Sequence, residues 1–463
     1  MRPLAPILLT SLLLASACAV GPDYVTPTTP AAQTFKAPEG WRTAQPSDAL
    51  DRGDWWALFG DETLNGLVAR AETANQTIAA AEAAYRQARA ATRETRASLF
   101  PTVDLNGSAA RSKTPSSSDN HSYQVGIGAT WEPDFWGRIR RSIEAGSATA
   151  QASAADLASA HLSIQGELAA NYLNLREADA EAALLDQTVT GYERALEITR
   201  NRYAAGIAPR TDVLQAETTL ANARSTRIGL ERRRTTFENA IAVLVGEPAS
   251  TFTLPATGDW APTIPDVPVG LPSTLLERRP DIASAERAVA AANARIGVQQ
   301  AAFFPTLSLT GSDGQNASRL GDLFASSANI WSLGLGLAET LFDAGARGAA
   351  VEQARAAYDA SVATYRQTVL TAFQDVENQL TATDVLRRQY AELEAASRAA
   401  DQTEVMILNQ YRAGTVAYTD VVTAQAIALN ARRALLQGAV ARQTTAVALI
   451  QAIGGGWRGL SPD

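Results

Sequence analysis

Few side chains in this 463-residue chain could do covalent chemistry. It carries one cysteine, Cys18, and two histidines, His121 and His161. A Ser-His-Asp triad needs a histidine between a hydroxyl and a carboxylate, and a zinc site needs several His or Cys ligands. This inventory supplies neither, so no metal centre, no cofactor and no disulfide framework is expected, and an enzyme is disfavoured. Carboxylates are plentiful, and one pair recurs. Asp212 and Asp420 each close a Tyr-x-x-Gly-x5-Asp-Val segment, begun by Tyr203 and Tyr411. What such carboxylates do depends on the elements that carry them.

Hydrophobic residues make up 46% of the chain and charged residues 19%, which allows a real core and argues against wholesale disorder. The net charge of −8 with a pI near 5.1 argues against a nucleic-acid partner.

The one long apolar run is at the start. Arg2, then Leu4 to Ala15, then Ser16-Ala17-Cys18 read as a secretory signal over residues 1–17, too short to span a bilayer. The small residues before the sole cysteine resemble the lipobox of bacterial lipoproteins, with Ala15 where leucine is usual. That resemblance implies cleavage before Cys18 and acyl chains attached to it. Ala19, in place of aspartate, resembles the outer-membrane sorting pattern. Residues 18–61 are rich in Pro, Thr and Ala and read as a lipid-anchored, extended tether.

A second proline-rich stretch, 247–279, divides two similar halves, 62–246 and 280–453, followed by a short tail, 454–463. Tyr203, Gly206, Asp212, Val213 and Arg224 recur at Tyr411, Gly414, Asp420, Val421 and Arg432, each pair 208 residues apart. Phe100-Pro101-Thr102 recurs as Phe304-Pro305-Thr306. The chain is a tandem duplication, so each half is expected to build the same structural unit.

Within each half the hydrophobic period changes. Tyr123, Val125, Ile127, Ala129 and Trp131 alternate with polar or small residues, as do Trp331, Leu333, Leu335 and Leu337. Val103-Asp-Leu and Leu307-Ser-Leu begin the same pattern after the helix-stopping prolines. Strands of about 10 residues with one apolar face suit a transmembrane β-barrel, lipid outside and water inside. Loops are expected at 112–121 and 314–329. Trp131, Phe135, Trp136, Trp331 and Phe342 are expected as an aromatic girdle at the periplasmic strand ends.

Helix-forming runs without proline cover 62–99, 140–205, 210–246 and 345–412. The two long ones would each extend roughly 100 Å. Tyr358, Val369 and Leu380 are eleven apart, the spacing of nearly straight helix packing. The shorter runs 62–99 and 210–246 together nearly match a long one, which suggests a second column beside it. Each half then offers two strands, and the chain four. Four strands cannot close a barrel, and an open edge in lipid leaves backbone groups without partners. Two copies would give a filled barrel and three a twelve-stranded, water-filled one. Glycine and serine on the inner faces favour three, hence a homotrimer.

Leu99-Phe100-Pro101, Leu271-Pro272-Ser273 through Arg279-Pro280-Asp281-Ile282, Trp55-Trp56 with Phe59, and the two Tyr-x-x-Gly-x5-Asp-Val segments carry a resemblance. The chain resembles the TolC-like outer-membrane efflux channels, in their lipoprotein branch: NodT-like outer membrane factors of tripartite RND-type efflux systems. The resemblance implies a mixed α/β membrane fold, with a trimeric twelve-stranded barrel continued by a long periplasmic helical barrel and a small equatorial domain. It implies a passive duct fed by an inner-membrane pump through a periplasmic adaptor, as in multidrug resistance.

The turns at Gly206 and Gly414 would then be periplasmic tips that meet the adaptor. From local chemistry alone, Asp212 and Asp420 cap the returning helices, Asp212 with Gln215 in a capping-box pattern. The resemblance adds a gate: Asp212 and Tyr411 match positions that link neighbouring helix pairs, and Asp420 matches an acidic ring that attracts cations. Val416 stands where the archetype has a basic partner and Thr423 where it has a second acid, so Arg210 is a candidate substitute for the missing base. Two other readings are a type I protein-secretion duct and a trimeric structural coiled-coil lipoprotein. The second would not need duplicated strand pairs.

Overall fold

The computed structural model describes residues 19–29, 35, 54–113, 119–265, 267 and 278–456, which fall into two compact units. The signal segment, Cys18, most of the proline-rich tether and the Leu271-Pro272-Ser273 motif lie outside the described residues. The helices are α1 (Glu62–Ala74), α2 (Gln76–Ala97), α3 (Arg138–Ala204), α4 (Arg210–Leu244), α5 (Pro280–Ala301), α6 (Ala346–Ala413) and α7 (Tyr418–Ala452). No described helix is long and apolar enough to cross a membrane.

The first unit contains 83–155 and 283–368 with the N-terminal residues. Its sheet has four strands, β1 (Thr102–Ser112), β2 (Asn120–Trp131), β3 (Thr306–Ala317) and β4 (Asn329–Ala338), in the order β1-β2-β3-β4. All neighbours are antiparallel, and the register aligns Leu105 with Ile127, Ile127 with Asp313, and Asp313 with Trp331. Odd-numbered residues therefore share one face. Val103, Leu105, Ile127, Leu333, Leu335 and Leu337 stand exposed on it. The other face presents Asn106, Ser108, Gly126, Gly128, Ser308, Thr310 and Gly336. Asp313 and Gln315 interrupt the apolar face near the loop end. Among the described residues, the outer edges of β1 and β4 have no strand partner.

Two expectations need correction here. Trp331 is the third residue of β4, which enters from the loop and leaves toward α6, so it lies at the loop end of the sheet. Trp131 lies across from Leu309, nearer the end where the strands join helices. The strands also run further than expected, so β3 includes 314–317, and two short 3₁₀ turns fill the connection to β4.

The N-terminal residues 19–29 are bonded along the first unit. The Val20 amide donates to the Trp136 carbonyl at 3.0 Å. Arg141, only 5% exposed, donates to the carbonyls of Val20 and Gly21 and to Asp23 and Glu144. Asn293 donates to the Pro22 carbonyl, Tyr24 donates to Glu286, and Arg366 donates to the Thr28 carbonyl. A Cβ at Gly137, whose φ is +81°, would lie 2.7 Å from the Ala19 Cα, so glycine there admits the segment.

The second unit contains 30–82, 156–282 and 369–463. Its apolar core gathers Trp55 and Phe59 of a 3₁₀ turn, Leu64 and Val68 of α1, Leu168 and Tyr172 of α3, Ile241 of α4, Val376 and Leu380 of α6, and Val447 and Ile450 of α7. The duplication is visible in matched helices: α3 and α6 have 67 and 68 residues, and α4 and α7 have 35 each. The run 62–99 is two helices, broken at Asn75. The Asn75 carboxamide oxygen accepts from Thr77 and Ile78, starting α2, while its nitrogen donates to the Leu244 carbonyl at the end of α4. One side chain thus satisfies two helix ends, which compensates the lost continuity.

Candidate functional site

The two Tyr-x-x-Gly segments form turns with the same backbone. Gly206 and Gly414 take φ of +70° and +78°, the left-handed conformation that ends α3 and α6. The next amides close the turns on equivalent carbonyls: Ile207 on Arg202 at 2.9 Å, Thr415 on Gln410 at 3.0 Å. Pro209 and Ala417 then enter α4 and α7 with nearly identical extended dihedrals.

Side chains from all four helices form an apolar cluster behind these turns. Tyr192 and Leu196 come from α3, Ala216 and Leu220 from α4, Tyr411 from α6, and Tyr418 and Val421 from α7. Tyr411 and Tyr418, each 2% exposed, meet edge to face with ring centroids 5.2 Å apart. The Tyr411 hydroxyl is 3.5 Å from Thr199 Oγ1. Burial pushes the Tyr418 phenol up to about 12, reinforced by Tyr411 and opposed by the Thr199 hydroxyl. Val416, at the position expected to carry a base, packs against this cluster as a hydrophobe.

Arg202 lies across the cluster's edge. Its guanidinium carbon is 4.7 Å from the Tyr411 ring centroid, and Nη1 donates to the Tyr411 carbonyl at 2.9 Å. Sequence reasoning did not single it out. The available signal was a basic residue in the last turn of a long helix, ordinarily read as a partner for its own helix end.

Asp212 is the third residue of α4, not its N-cap. The N-cap is Pro209, which has no side-chain acceptor, and the capping-box expectation with Gln215 fails because Asp212 already lies inside the helix. Burial raises the Asp212 pKa, and the charge of Arg202 opposes that shift. Among the described residues of this chain Asp212 makes no side-chain hydrogen bond and is not hydrogen-bonded to Tyr411. Asp420 is the third residue of α7 and is exposed. Its Oδ2 accepts from the Ala417 amide at 3.1 Å, so it caps from inside the first turn. Arg210 is exposed, and among the described residues it has no hydrogen bond or ion pair.

The two histidines lie elsewhere. His121 stacks on Tyr123 in β2, and His161 bonds Glu72 at 2.5 Å in the second unit. Among the described residues no cluster of His, Cys, Asp or Glu is placed to hold a metal ion.

The chain and its fold match known proteins. The profile of the outer membrane efflux protein family covers residues 67–247 and 271–455. The pyoverdine export outer membrane protein OpmQ of Pseudomonas aeruginosa is 32% identical, over 97% of this chain and 96% of its own. The toluene efflux pump outer membrane protein TtgC of Pseudomonas putida is 30% identical, over 98% and 96%. The solved open state of the Neisseria gonorrhoeae MtrE outer membrane channel superposes with a TM-score of 0.87 at 30% identity, covering 96% of this chain and all of that one. The chain belongs to the outer membrane efflux protein family.

Proposed function

We propose that the chain is the lipid-anchored exit duct of a tripartite efflux system, working as a homotrimer whose twelve strands close one barrel. The observation that carries this is the sheet: four strands, one exposed apolar face, one face of serine, threonine, asparagine and glycine, and two unpartnered edges. Lipid would cover the first face and water the second, and identical copies would satisfy the edges. A periplasmic adaptor would grip the helical tips around Gly206 and Gly414, and an inner-membrane pump would supply the energy. OpmQ is named for pyoverdine and TtgC for toluene, at nearly equal identity to this chain. Overall likeness therefore singles out no cargo, and its choice would fall mainly to the pump.

The N-terminal residues support anchoring through Cys18. Ala19 packs against Gly137, next to Trp136, whose ring stacks on Phe304 at 4.8 Å. Aromatic residues favour the membrane interface, the place an acyl anchor would occupy. Metabolic labelling with a palmitate analogue should mark the protein, and Cys18→Ser should abolish the mark.

Gating would fall to the tips. Three copies of Asp420 around one axis would form a ring that attracts cations, and Asp212 with Tyr411 would help hold the entrance closed. In planar bilayers, Asp420→Ala should change cation selectivity, and Asp212→Ala combined with Tyr411→Phe should raise resting conductance. If both variants conduct like the wild type, the aspartates act only on their own helices.

A further inference from the structure

We infer that His161 and Glu72 form a proton-operated latch in the second unit, which holds the end of α1 against α3 more tightly in acid than in alkali.

The two residues come from different helices. His161 Nδ1 lies 2.5 Å from Glu72 Oε2, and Gln165 Nε2, one turn further along α3, donates to Glu72 Oε1 at 2.7 Å. Both carboxylate oxygens of Glu72 are therefore held by α3. The orientation of Gln165 is fixed in turn, because its Oε1 accepts from Trp55 Nε1 at 3.0 Å. Trp55 is 1% exposed and sits in the same core as Leu64, Leu67, Val68 and Ala71 of α1. One hydrogen-bonded chain thus runs from the 3₁₀ turn through α3 to the last turn of α1.

Helix chemistry alone would not put Glu72 there. It lies in the last turn of α1, where the helix dipole disfavours a carboxylate, and that turn holds no basic residue of its own. A cation on α3 removes the conflict. Duplication does not call for a histidine either. The residue 208 positions beyond His161 is Val369, which is fully buried. Histidine is the side chain whose charge ordinarily changes between about pH 5 and 8.

Two acids face His161, Glu72 from α1 and Glu82 from α2. The 3₁₀ turn presents the neutral Trp55, and α7 reaches this part of α3 through the neutral Gln451, which donates to the Leu162 carbonyl at 3.2 Å. The hydrogen bond to Glu72 raises the His161 pKa, burial opposes the rise, and the charges of Glu72 and Glu82 add to it. Burial acts to raise the Glu72 pKa, but its bonds with His161 and Gln165 and the histidine's charge outweigh burial and lower it. The histidine's contribution is complete below its usual 6.5 and is lost as pH rises through the raised value. The carboxylate's is complete above its usual 4.5 and is lost as pH falls through the lowered value. Between those two usual values the latch is fully closed.

The test reads protonation and opening separately on the assembled protein. Exchange of the imidazole C2 hydrogen, followed by mass spectrometry of the two histidine-bearing peptides, gives the titration midpoint of His161, with His121 in the sheet as internal reference. Glu72→Gln should lower the His161 midpoint. Amide exchange across α1, corrected for its intrinsic pH dependence, should quicken about two- to fivefold from about pH 5.5 to about pH 8.5, as a charge-assisted bond becomes a neutral one. Glutamine at position 161 can still donate to Glu72 but carries no titrating proton, so His161→Gln should lose that difference. A His161 midpoint left unchanged by Glu72→Gln overturns the latch. So does an α1 that keeps the wild-type pH dependence in His161→Gln. Should one variant fail to assemble, the other decides the matter on its own readout.

Discussion

The two tips are copies of one turn set in different surroundings. Their backbones coincide: a left-handed glycine, the same closing hydrogen bond, and the same extended entry into the returning helix. Their side chains do not. Tyr203 of the first tip is 47% exposed, while its counterpart Tyr411 is 2% exposed. Arg210 projects outward, while its counterpart Tyr418 is buried against Tyr411. Duplication preserved what local chemistry dictates, a helix end at glycine. The surroundings diverged where packing decides: the second tip buries its tyrosine, and Arg202 of the first hairpin donates to that tyrosine's carbonyl.

The sharpest way to break this contrast is to remove the rings. Tyr411→Ala or Tyr418→Ala should destabilise the detergent-solubilised protein by about 3 kcal/mol, the usual cost of truncating a buried aromatic ring. Tyr203→Ala should change it by less than about 0.5 kcal/mol, as exposed positions do. Thermal unfolding of the variants measures both, and equal losses would mean that the tips are not specialised.

A smaller effect should appear equally at both tips. Gly206→Ala and Gly414→Ala place a Cβ on a left-handed backbone, at a cost of about 1–2 kcal/mol each. The added atom would meet nothing within 4 Å at Gly206 and only ordinary contact with Arg202 at Gly414, so strain and not crowding sets the loss. A clear inequality between the two would show that the backbones are not equivalent in solution.

The aspartates should separate again. Asp420→Ala removes an acceptor from the Ala417 amide and a charge from a helix N-terminus, together worth about 1 kcal/mol. Asp212 should act through pH. Burial raises its pKa above the usual 3.8, so the folded tip holds that proton to higher pH than the unfolded chain. Its contribution is complete below pH 3.8 and is lost as pH rises through the raised value. Asp212→Asn should remove that decline in a pH series of melting temperatures. An unchanged slope would mean that Asp212 is fully solvated.

Much of this was legible because the signals are local. The long helices were expected at 140–205 and 345–412 and run Arg138–Ala204 and Ala346–Ala413, since glycine after each one is a chemical stop. Strand alternation gave the apolar face because side chains change sides at every residue. Two of the misses needed a partner distant in sequence. Asn75 breaks the 62–99 run because the Leu244 carbonyl awaits it. Trp331 was placed at the wrong strand end because alternation carries no information about which way a strand enters the sheet. Arg202 looked like a C-terminal base for its own helix and serves another, 209 residues away.

The most direct test of the whole account concerns the sheet's outer edges, which have no strand partner among the described residues of one chain. Native mass measurement of the purified protein in mild detergent should give three copies of the chain, each 48.9 kDa less the proposed signal segment. A stable monomer under those conditions would contradict it, because four strands alone cannot seal a barrel in lipid.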